Sequence, residues 1–395
     1  MEHVSAPSVG VEQFTPPFLD ALRSVGDEVA DTAVTEFFDG RPAPVSELFS
    51  ALAKAVALHL DDEDAPGIGA FVRAEEPWPD WADGDLVRRG QQVFGDWGPQ
   101  LGVALWMASL PADYAGAKGA EPLLRTARLT NNPKRRYLET GQMIIDAMTP
   151  GALAPGGHGY RTVRHVRLMH AAIRHALVHI TDVDQSGRLV VGPWDDALGR
   201  PINQEDLLGC LFSFSLVGLA SLERSGVRLD PADAEAYVHV WNLIGHQLGI
   251  RDDLLPLDRA DAETVFRAIS VRQYAPSDAG RELTATAISC MQDMLVSKRL
   301  RGLPATGIRH YLGDETADLL GVPPPDWTRA IFAFEQGSDT LISRTVARVP
   351  GTRSVTAWMG RRLFHSFERF ERGGDRPNFE VTDELRQAWG LDAPD

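Results

Sequence analysis

The sequence is poor in cysteine, in basic residues and in long apolar runs, and each shortage excludes a class of protein. Its 395 residues include two cysteines, Cys210 and Cys290, too few for a disulfide scaffold or a cysteine-based zinc or iron–sulfur site. Both lie in apolar segments and are typical of buried thiols in a reducing compartment. Lys and Arg number 39 against 55 Asp and Glu, a net charge of −16, which argues against nucleic acid and anionic membranes as partners.

Targeting segments and several common catalytic motifs are also missing. The N-terminus MEHVSAPSVGVEQF lacks the basic start and apolar run of a signal peptide. No apolar stretch reaches the roughly 18 uninterrupted residues of a membrane span. We therefore expect a cytoplasmic protein with no membrane span. The absence of GxSxG, of GxxxxGKS/T and of GxGxxG after a strand disfavours hydrolases, P-loop enzymes and Rossmann dehydrogenases.

What the sequence does contain is helical periodicity. Between turns rich in Gly and Pro, the apolar residues recur mostly at spacings of three and four, as in EDLLGCLFSFSLVGLASLE and AEAYVHVWNLIGHQLG. No convincing series of alternating strands is present. The pattern predicts an all-α protein, a single domain over residues 1–395 with peripheral helices at each end. The tails 1–40 and 376–395 are predicted to be peripheral.

A first helix of chemical interest is predicted to begin at Asn132-Pro133 and to stop at Thr149-Pro150. Asn is a good N-cap and Pro is favoured at the first helical position. Its residues Arg136, Thr140 and Met143 share one face with Ala147. A half-buried arginine on such a face needs an anionic partner, and a cofactor carboxylate would serve. The alternative is a simple surface pair between Arg136 and Thr140.

A second helix, starting near Arg161, carries an unusual histidine. Its apolar stripe has spacings of three and four throughout. The stripe consists of Val163, Val166, His170, Ile173, Leu177 and Ile180. His170 is either a core histidine bonded to a backbone carbonyl or an axial ligand to haem. Haem needs an apolar slot, one imidazole and cations near its propionates, and Arg167 and Arg174 lie about one turn to either side of His170.

Other polar residues allow further interpretations. His175 and His179 form an HxxxH pair that could hold zinc or nickel, but no HExxH pattern accompanies it. His239 and His246 are two turns apart and are predicted to make structural hydrogen bonds. Glu139 and Glu121 are the carboxylates nearest to Arg136 in sequence. The alternative is that Glu139 is an ordinary solvent-exposed helix residue and that Glu121 lies at the start of a helix.

Together these segments resemble a known family. The motifs are LWMASLPADYAGAKGAEPLLRTARL, NNPKRRYLETGQMIIDAM, RHVRLMHAAIRHAL, PINQEDLLGCLFSFS and AEAYVHVWNLIGHQLGI. They resemble the bacterial latex-clearing proteins, or rubber oxygenases, and their MpaB-type relatives, which include the fungal oxygenase that cleaves the farnesyl chain in mycophenolate biosynthesis. The family-like core spans about residues 97–325. The specific signal is Arg136-x-x-x-Thr140 followed by a histidine thirty residues later.

The resemblance implies a globin-like helical core around one haem b. It implies that His170 is the iron ligand and that Arg136 and Thr140 lie in the haem pocket. It suggests Arg167, Arg174 and His175 as residues around the haem. Relatives also use a glutamate as a base, for which Glu121 is the nearest match at a slightly different spacing.

Two departures from the family pattern bear on function. Rubber cleavers carry a lysine immediately before the pocket threonine, where this sequence has Glu139. They are also secreted, and no signal peptide is evident here.

The resemblance therefore predicts a cytoplasmic haem b oxygenase that uses O₂ on an apolar small molecule, with Glu121 or Glu139 as the base and oxidative C=C cleavage as the outcome. The alternatives are a haem monooxygenase or dehydrogenase acting on a tailoring intermediate, and a non-catalytic haem protein that binds a diatomic gas. Homo-oligomer formation stays open.

Overall fold

Helices form nearly all of the regular structure that can be described. The structure is a computed structural model that describes residues 10–332 except 39–65, 131–132, 180–181, 184–188, 192, 257 and 296. The helices of its first half are α1 Pro16–Leu22, α2 Glu28–Phe38, α3 Pro66–Arg73, α4 Gly84–Ala104, α5 Leu110–Ala115, α6 Ala117–Thr130, α7 Pro133–Met148 and α8 His158–His179. A π-helical turn, Leu105–Ser109, joins α4 to α5 without a break.

The second half is built in the same way. Its helices are α9 Gln204–Arg224, α10 Pro231–Gln247, α11 Arg259–Gln273, α12 Asp278–Met294, α13 Leu303–Leu312 and α14 Asp314–Leu319. Short 3₁₀ turns occupy Val11–Gln13, Asp196–Leu198, Asp252–Leu254 and Lys298–Leu300. One small antiparallel ribbon, β1 Asp182–Val183 with β2 Leu189–Val191, interrupts the pattern. The prediction of an all-α fold is confirmed, although this ribbon was not foreseen.

Side-chain caps begin several of the helices. The Asn203 side chain accepts a hydrogen bond from the Asp206 amide at 3.0 Å and begins α9. The Asp230 carboxylate accepts one from the Ala232 amide at 2.9 Å, with proline at the first position of α10. The helix predicted between Asn132 and Thr149 is α7, although Asn132 itself lies outside the described residues. α8 starts three residues earlier than predicted, at His158.

The core is organised around α9. This helix packs against α5, α10, α11 and the π-helical turn, and α10 in turn lies along α4. Among the described helices, α9 is the one long and apolar enough to cross a membrane by length and composition, yet 78% of its most apolar window is buried. Such burial is what a core helix of a folded domain shows.

The N-terminal segment contributes to this core. Leu19 and Leu22 of α1 are buried in a cluster of apolar side chains that extends to Phe332. A second, smaller apolar cluster lies beneath α2, α3 and α8. Residues 10–38, predicted to be peripheral, therefore cover apolar surface of α8, α9 and α11. The tail 376–395 lies outside the described residues.

Candidate active site

His170 lies on the wall of a cavity between α7, α8 and α9. The helical stripe of α8 that faces the core includes Val163, which is fully buried, and Leu177, which is 2% exposed. His170 belongs to that stripe, and its Nδ1 atom is shielded from solvent. The imidazole therefore reaches the interior because of its place in the apolar periodicity of α8.

The cavity has a volume of about 420 Å³ and is lined mainly by apolar side chains. Its walls come from α5, α6, α7, α8, α9, α10 and α12. The lining residues are Leu110, Asp113, Tyr114, Leu123, Leu124, Tyr137, Thr140, Met143, Val166, His170, Leu207, Cys210, Leu211, Phe214, Trp241, Leu248, Glu282, Leu283 and Thr286. This set combines one imidazole with a broad apolar surface and a few hydroxyl and carboxyl groups.

A smaller cavity of about 150 Å³ adjoins the first along α9, toward α11. The two share Asp113, Leu123, His170, Leu207 and Cys210 as wall residues. The wall around His170 is thus common to both spaces. We call the pair the α9 cavities.

The face of α7 predicted to carry Arg136, Thr140, Met143 and Ala147 turns toward the larger cavity. Thr140 and Met143 line it, and Ala147 is buried with no exposed surface. Arg136 belongs to α7, but its side chain lies outside the described part of the structure. Thr140 and His170 therefore line the same cavity, as the spacing along α7 and α8 predicts.

Arg167 and Arg174 do not join His170, in contrast to the predicted arrangement. The Arg167 guanidinium donates to both Asp27 carboxylate oxygens, at 2.5 and 2.8 Å. Arg174 donates to Asp31 Oδ1 at 2.7 Å and to the Ile202 carbonyl at 2.8 Å. Neither arginine lines the α9 cavities. Their rotation of about 40–60° from His170 turns them toward Asp27, just before α2, and Asp31 within it, and these carboxylates neutralise them.

His175 also faces away from the α9 cavities. Its ring stacks on Phe38 at 4.3 Å with an interplanar angle of 3°, and on His179 at 4.4 Å. Burial, followed by the neighbouring His179, lowers the pKa of His175 below its ordinary value. The described residues contain no group of three or more His, Cys, Asp or Glu that could hold a metal ion. A zinc or nickel site at the HxxxH pair therefore has no third ligand in this part of the chain.

The two predicted bases are placed differently from the prediction. The Glu121 carboxylate accepts a hydrogen bond from Arg125 Nε at 2.8 Å, one helical turn away, and Arg125 in turn stacks over Trp194. Glu121 therefore faces the outer side of α6, whereas Leu123 and Thr126 face the α9 cavities. Glu139 is half-buried but is not among the cavity residues, since it is turned about 100° around α7 from Thr140.

His239 and His246 have the structural roles predicted for them. His239 Nε2 accepts the Asp83 amide at 2.9 Å, and His246 Nδ1 pairs with Asp252 at 2.6 Å. The Trp81 indole meets both rings edge to face. This group fixes the start of α4 against α10.

Sequence reasoning missed the carboxylate that lies on the shared cavity wall, Asp113. It sits on α5, half-buried beside Cys210. Burial, the charge of Asp113 and a hydrogen bond to that carboxylate all raise the pKa of the Cys210 thiol. Burial and the same charge raise the pKa of Tyr274. The available signal was one acidic residue in the otherwise apolar run from Leu101 to Ala115.

The residues around His170 fit the iron-binding side of a haem pocket. A haem requires one imidazole on a wide apolar wall, and the larger cavity offers His170 among Val166, Leu207, Leu211 and Phe214. The described lining contains Asp113 and Glu282 as its charged members and no arginine or lysine.

Comparisons with known proteins indicate a family and a fold for this chain. The profile of a family described as "ER-bound oxygenase mpaB/B'/Rubber oxygenase, catalytic domain" matches residues 91–338. The rubber oxygenase of Streptomyces sp. (strain K30) is 27% identical over 318 residues, which cover 75% of this chain and 71% of that protein. A solved structure of latex clearing protein in its closed state superposes with a TM-score of 0.68 at 22% identity, covering 92% of this chain and 95% of that one.

Proposed function

Because the chain belongs to the family of mpaB-type and rubber oxygenase catalytic domains, we propose that it is a haem b-dependent oxygenase that cleaves a C=C bond of an apolar, isoprenoid-like small molecule. Family membership makes the chain an oxidoreductase that uses O₂. The haem, the bond cleaved and the substrate class are the proposed parts. The observation that carries them is His170 on the wall of an apolar cavity of about 420 Å³.

The residues have separate roles in this proposal. His170 would hold the iron through its imidazole, and Arg136 would meet a propionate. Thr140, which lines the same cavity as His170, would place its hydroxyl beside the substrate. The apolar side chains of α9 and α12 would bind the substrate and exclude water, which strengthens every polar contact inside the cavity.

When bound, the haem would supply the one-electron and O₂ chemistry that amino acid side chains lack. The chain supplies orientation and polarity. Leu207, Leu211 and Phe214 of α9 form an apolar wall that would hold an apolar chain, while Tyr137 and Thr140 of α7 bring side chains with hydroxyl groups to the same cavity. Such an arrangement selects substrates by shape and apolar area rather than by charge.

We also propose a cytoplasmic location. Both cysteines are free thiols, as in proteins of a reducing compartment, and the strongly acidic charge of −16 suits a dissolved protein without affinity for anionic surfaces. Fractionation of the source cells, with antibody detection of the chain, tests this part. Recovery in the culture medium or in the membrane pellet would contradict it.

The proposed function is tested by haem uptake together with substrate-dependent O₂ consumption. We expect the apo chain to take up one hemin per chain with a Soret band, and the reduced holoprotein to consume O₂ only when a soluble polyprenyl compound is added. Failure to bind hemin would overturn the proposal. A Soret band with reversible O₂ binding and no consumption would instead indicate a gas-binding protein, and hydroxylated or desaturated products would indicate a monooxygenase or dehydrogenase.

A further inference from the structure

The α9 cavities are bordered by four carboxylates in the described part of the chain, and these differ in their surroundings. Glu205 is fully buried and accepts hydrogen bonds from Arg23, Arg272 and Gln273, at 3.1, 2.6 and 2.8 Å. Asp206 accepts hydrogen bonds from Arg23 and from the Asn203 amide group, at 2.9 and 2.7 Å. These two belong to a structural ion network behind the smaller cavity.

The other two carboxylates are Glu282 and Asp113. Glu282 lies on an exposed turn of α12 and lines only the larger cavity. Asp113 is a wall residue of both cavities, as is His170. Of these four carboxylates, Asp113 is thus the one on the section of wall that the two cavities share with the imidazole.

The position of Asp113 follows from the backbone that precedes it. The π-helical turn Leu105–Ser109 widens the helix between α4 and α5, and such single turns are frequent at functional sites. The extra residue in that turn rotates α5 relative to α4. Ala112 and Asp113 line the smaller cavity. Leu110, Asp113 and Tyr114 line the larger one.

We propose, on the basis of the oxygenase function proposed above, that Asp113 is the catalytic carboxylate that takes up and returns a proton at the substrate. It replaces Glu121, whose carboxylate is directed to Arg125 on the outer side of α6. Asp113 is half-buried on the wall that both cavities share with His170, so its carboxylate borders the space that an apolar substrate would occupy. Cys210, beside it, stays a neutral thiol.

The proton balance of the reaction defines what Asp113 does. Cleavage of R₂C=CHR′ by O₂ gives R₂C=O and O=CHR′, so the C=C and O–O bonds break, two C=O bonds form, and O₂ is the oxidant for the carbon atoms. The hydrogen count of the organic fragments is unchanged. A proton that the Asp113 carboxylate removes from an allylic carbon must therefore return to the products within the same turnover, which leaves Asp113 ionised again.

The test compares conservative variants of Asp113 in two independent measurements. Asp113→Asn keeps the shape and removes the base, Asp113→Glu keeps a carboxylate, and Asp85→Asn removes an exposed carboxylate on α4 as a control. We expect all variants to bind hemin like the wild type. We expect Asp113→Asn to lose turnover by about 100-fold or more, the range of acid–base catalysis, and Asp113→Glu to recover part of it.

The second measurement needs neither haem nor turnover. Alkylation of Cys210 in the apo chain, followed by mass spectrometry across a pH series, reports the pKa of the thiol, with Cys290 as the internal control. We expect the pKa of Cys210 to fall in Asp113→Asn, and each unit raises the thiolate fraction about tenfold. The pKa of Cys290 should stay unchanged.

The outcomes separate this inference from the proposed function. A wild-type chain that binds hemin but cleaves no polyprenyl compound would overturn the oxygenase function, and the role of Asp113 with it. An active wild type with equal turnover in Asp113→Asn would overturn the role of Asp113 alone. An unchanged Cys210 pKa in that variant would overturn the placement of Asp113 beside Cys210 on the shared wall, and the role that depends on it. Loss of turnover in Glu121→Gln but not in Asp113→Asn would return the role to Glu121.

Discussion

At the scale of single residues, α8 separates its cations from its cavity-facing imidazole. Arg167 and Arg174 are neutralised by Asp27 and Asp31, and α2 packs against α8. Buried guanidinium groups are tolerated when a carboxylate meets them in a two-point contact, as between Arg167 and Asp27. Neither arginine therefore shares the wall of the α9 cavities with His170.

The first prediction concerns that imidazole. We expect His170→Ala to lose most of its bound haem while keeping its helical content, because the iron would have no protein ligand in the cavity. His179→Ala, an exposed histidine on the same helix, is the matched control and should keep its haem. Soret absorbance and circular dichroism measure both quantities. Full haem occupancy with an unchanged spectrum in His170→Ala would contradict the assignment.

A second prediction concerns pH. Burial lowers the pKa of His239 below its ordinary value, an effect that the charge of Asp83 partly opposes, and the neutral ring accepts the Asp83 amide. The folded state therefore binds this proton less well than the unfolded state, so the stabilisation is complete above about pH 6.5 and is lost as the pH falls below it.

The measurement is urea unfolding at pH 7.5 and at pH 5.5. We expect the wild type to lose stability at the lower pH, and His239→Gln to lose less, because glutamine accepts the same hydrogen bond without titrating. His175 and His310, whose pKa values burial also lowers, keep part of the pH dependence in both proteins. An identical pH dependence in the variant would show that His239 has no part in it.

At the scale of elements, the close crossing of α4 and α10 fixes the frame around the α9 cavities. A Cβ atom on Gly90 would lie 2.7 Å from Val240 Cγ1 and would collide with the Ala236 carbonyl. The two helices therefore approach as closely as they do because position 90 carries no side chain. α10 then presents Trp241 to the larger cavity.

The third prediction compares two mid-helix glycines. Gly90→Ala should destabilise the chain by about 1–3 kcal/mol, the usual cost of overpacking. Gly218→Ala on α9 should be neutral or stabilising by up to about 1 kcal/mol, because its Cβ would meet Leu101 at an ordinary 3.6 Å. Denaturant unfolding of both variants measures the difference. Equal effects would contradict the close crossing.

How much the sequence could predict also differs between elements. The period of three and four in α7 and α8 predicted both helices and the inward faces of Thr140 and His170, because amphipathic periodicity is a local property. The partners of Arg167 and Arg174 could not be predicted, since Asp27 and Asp31 are about 140 residues away in sequence. Asp113 was missed because a π-helical turn changes the periodicity just before it.

At the scale of the whole molecule, an ion network ties the N-terminal segment to the core. Glu205 of α9 accepts from Arg23 after α1 and from Arg272 of α11, and Arg272 also meets Asp20. Glu205 itself is fully buried. The N-terminal segment is thereby joined to α9 and α11 behind the smaller cavity.

The fourth prediction follows from that burial. Removing one partner of a buried ion pair leaves uncompensated charge, so Glu205→Gln should cost about 3–5 kcal/mol of stability. Glu223 and Arg259 form a half-exposed ion pair, so Glu223→Gln should cost less than about 1 kcal/mol of stability. Thermal or urea unfolding distinguishes them. A cost below 1 kcal/mol for Glu205→Gln would show that the network does not hold the N-terminal segment.

The central claim is that this chain cleaves a C=C bond by inserting both atoms of O₂, and one isotope measurement tests it most directly. The haem-loaded chain is incubated with a soluble polyprenyl compound under ¹⁸O₂, and the products are reduced at once with borohydride, since free carbonyl oxygen exchanges with water. The account predicts two shorter alcohols with one ¹⁸O atom each, formed by the wild type and not by His170→Ala. Uncleaved substrate, or cleavage products whose oxygen comes from water, would contradict it.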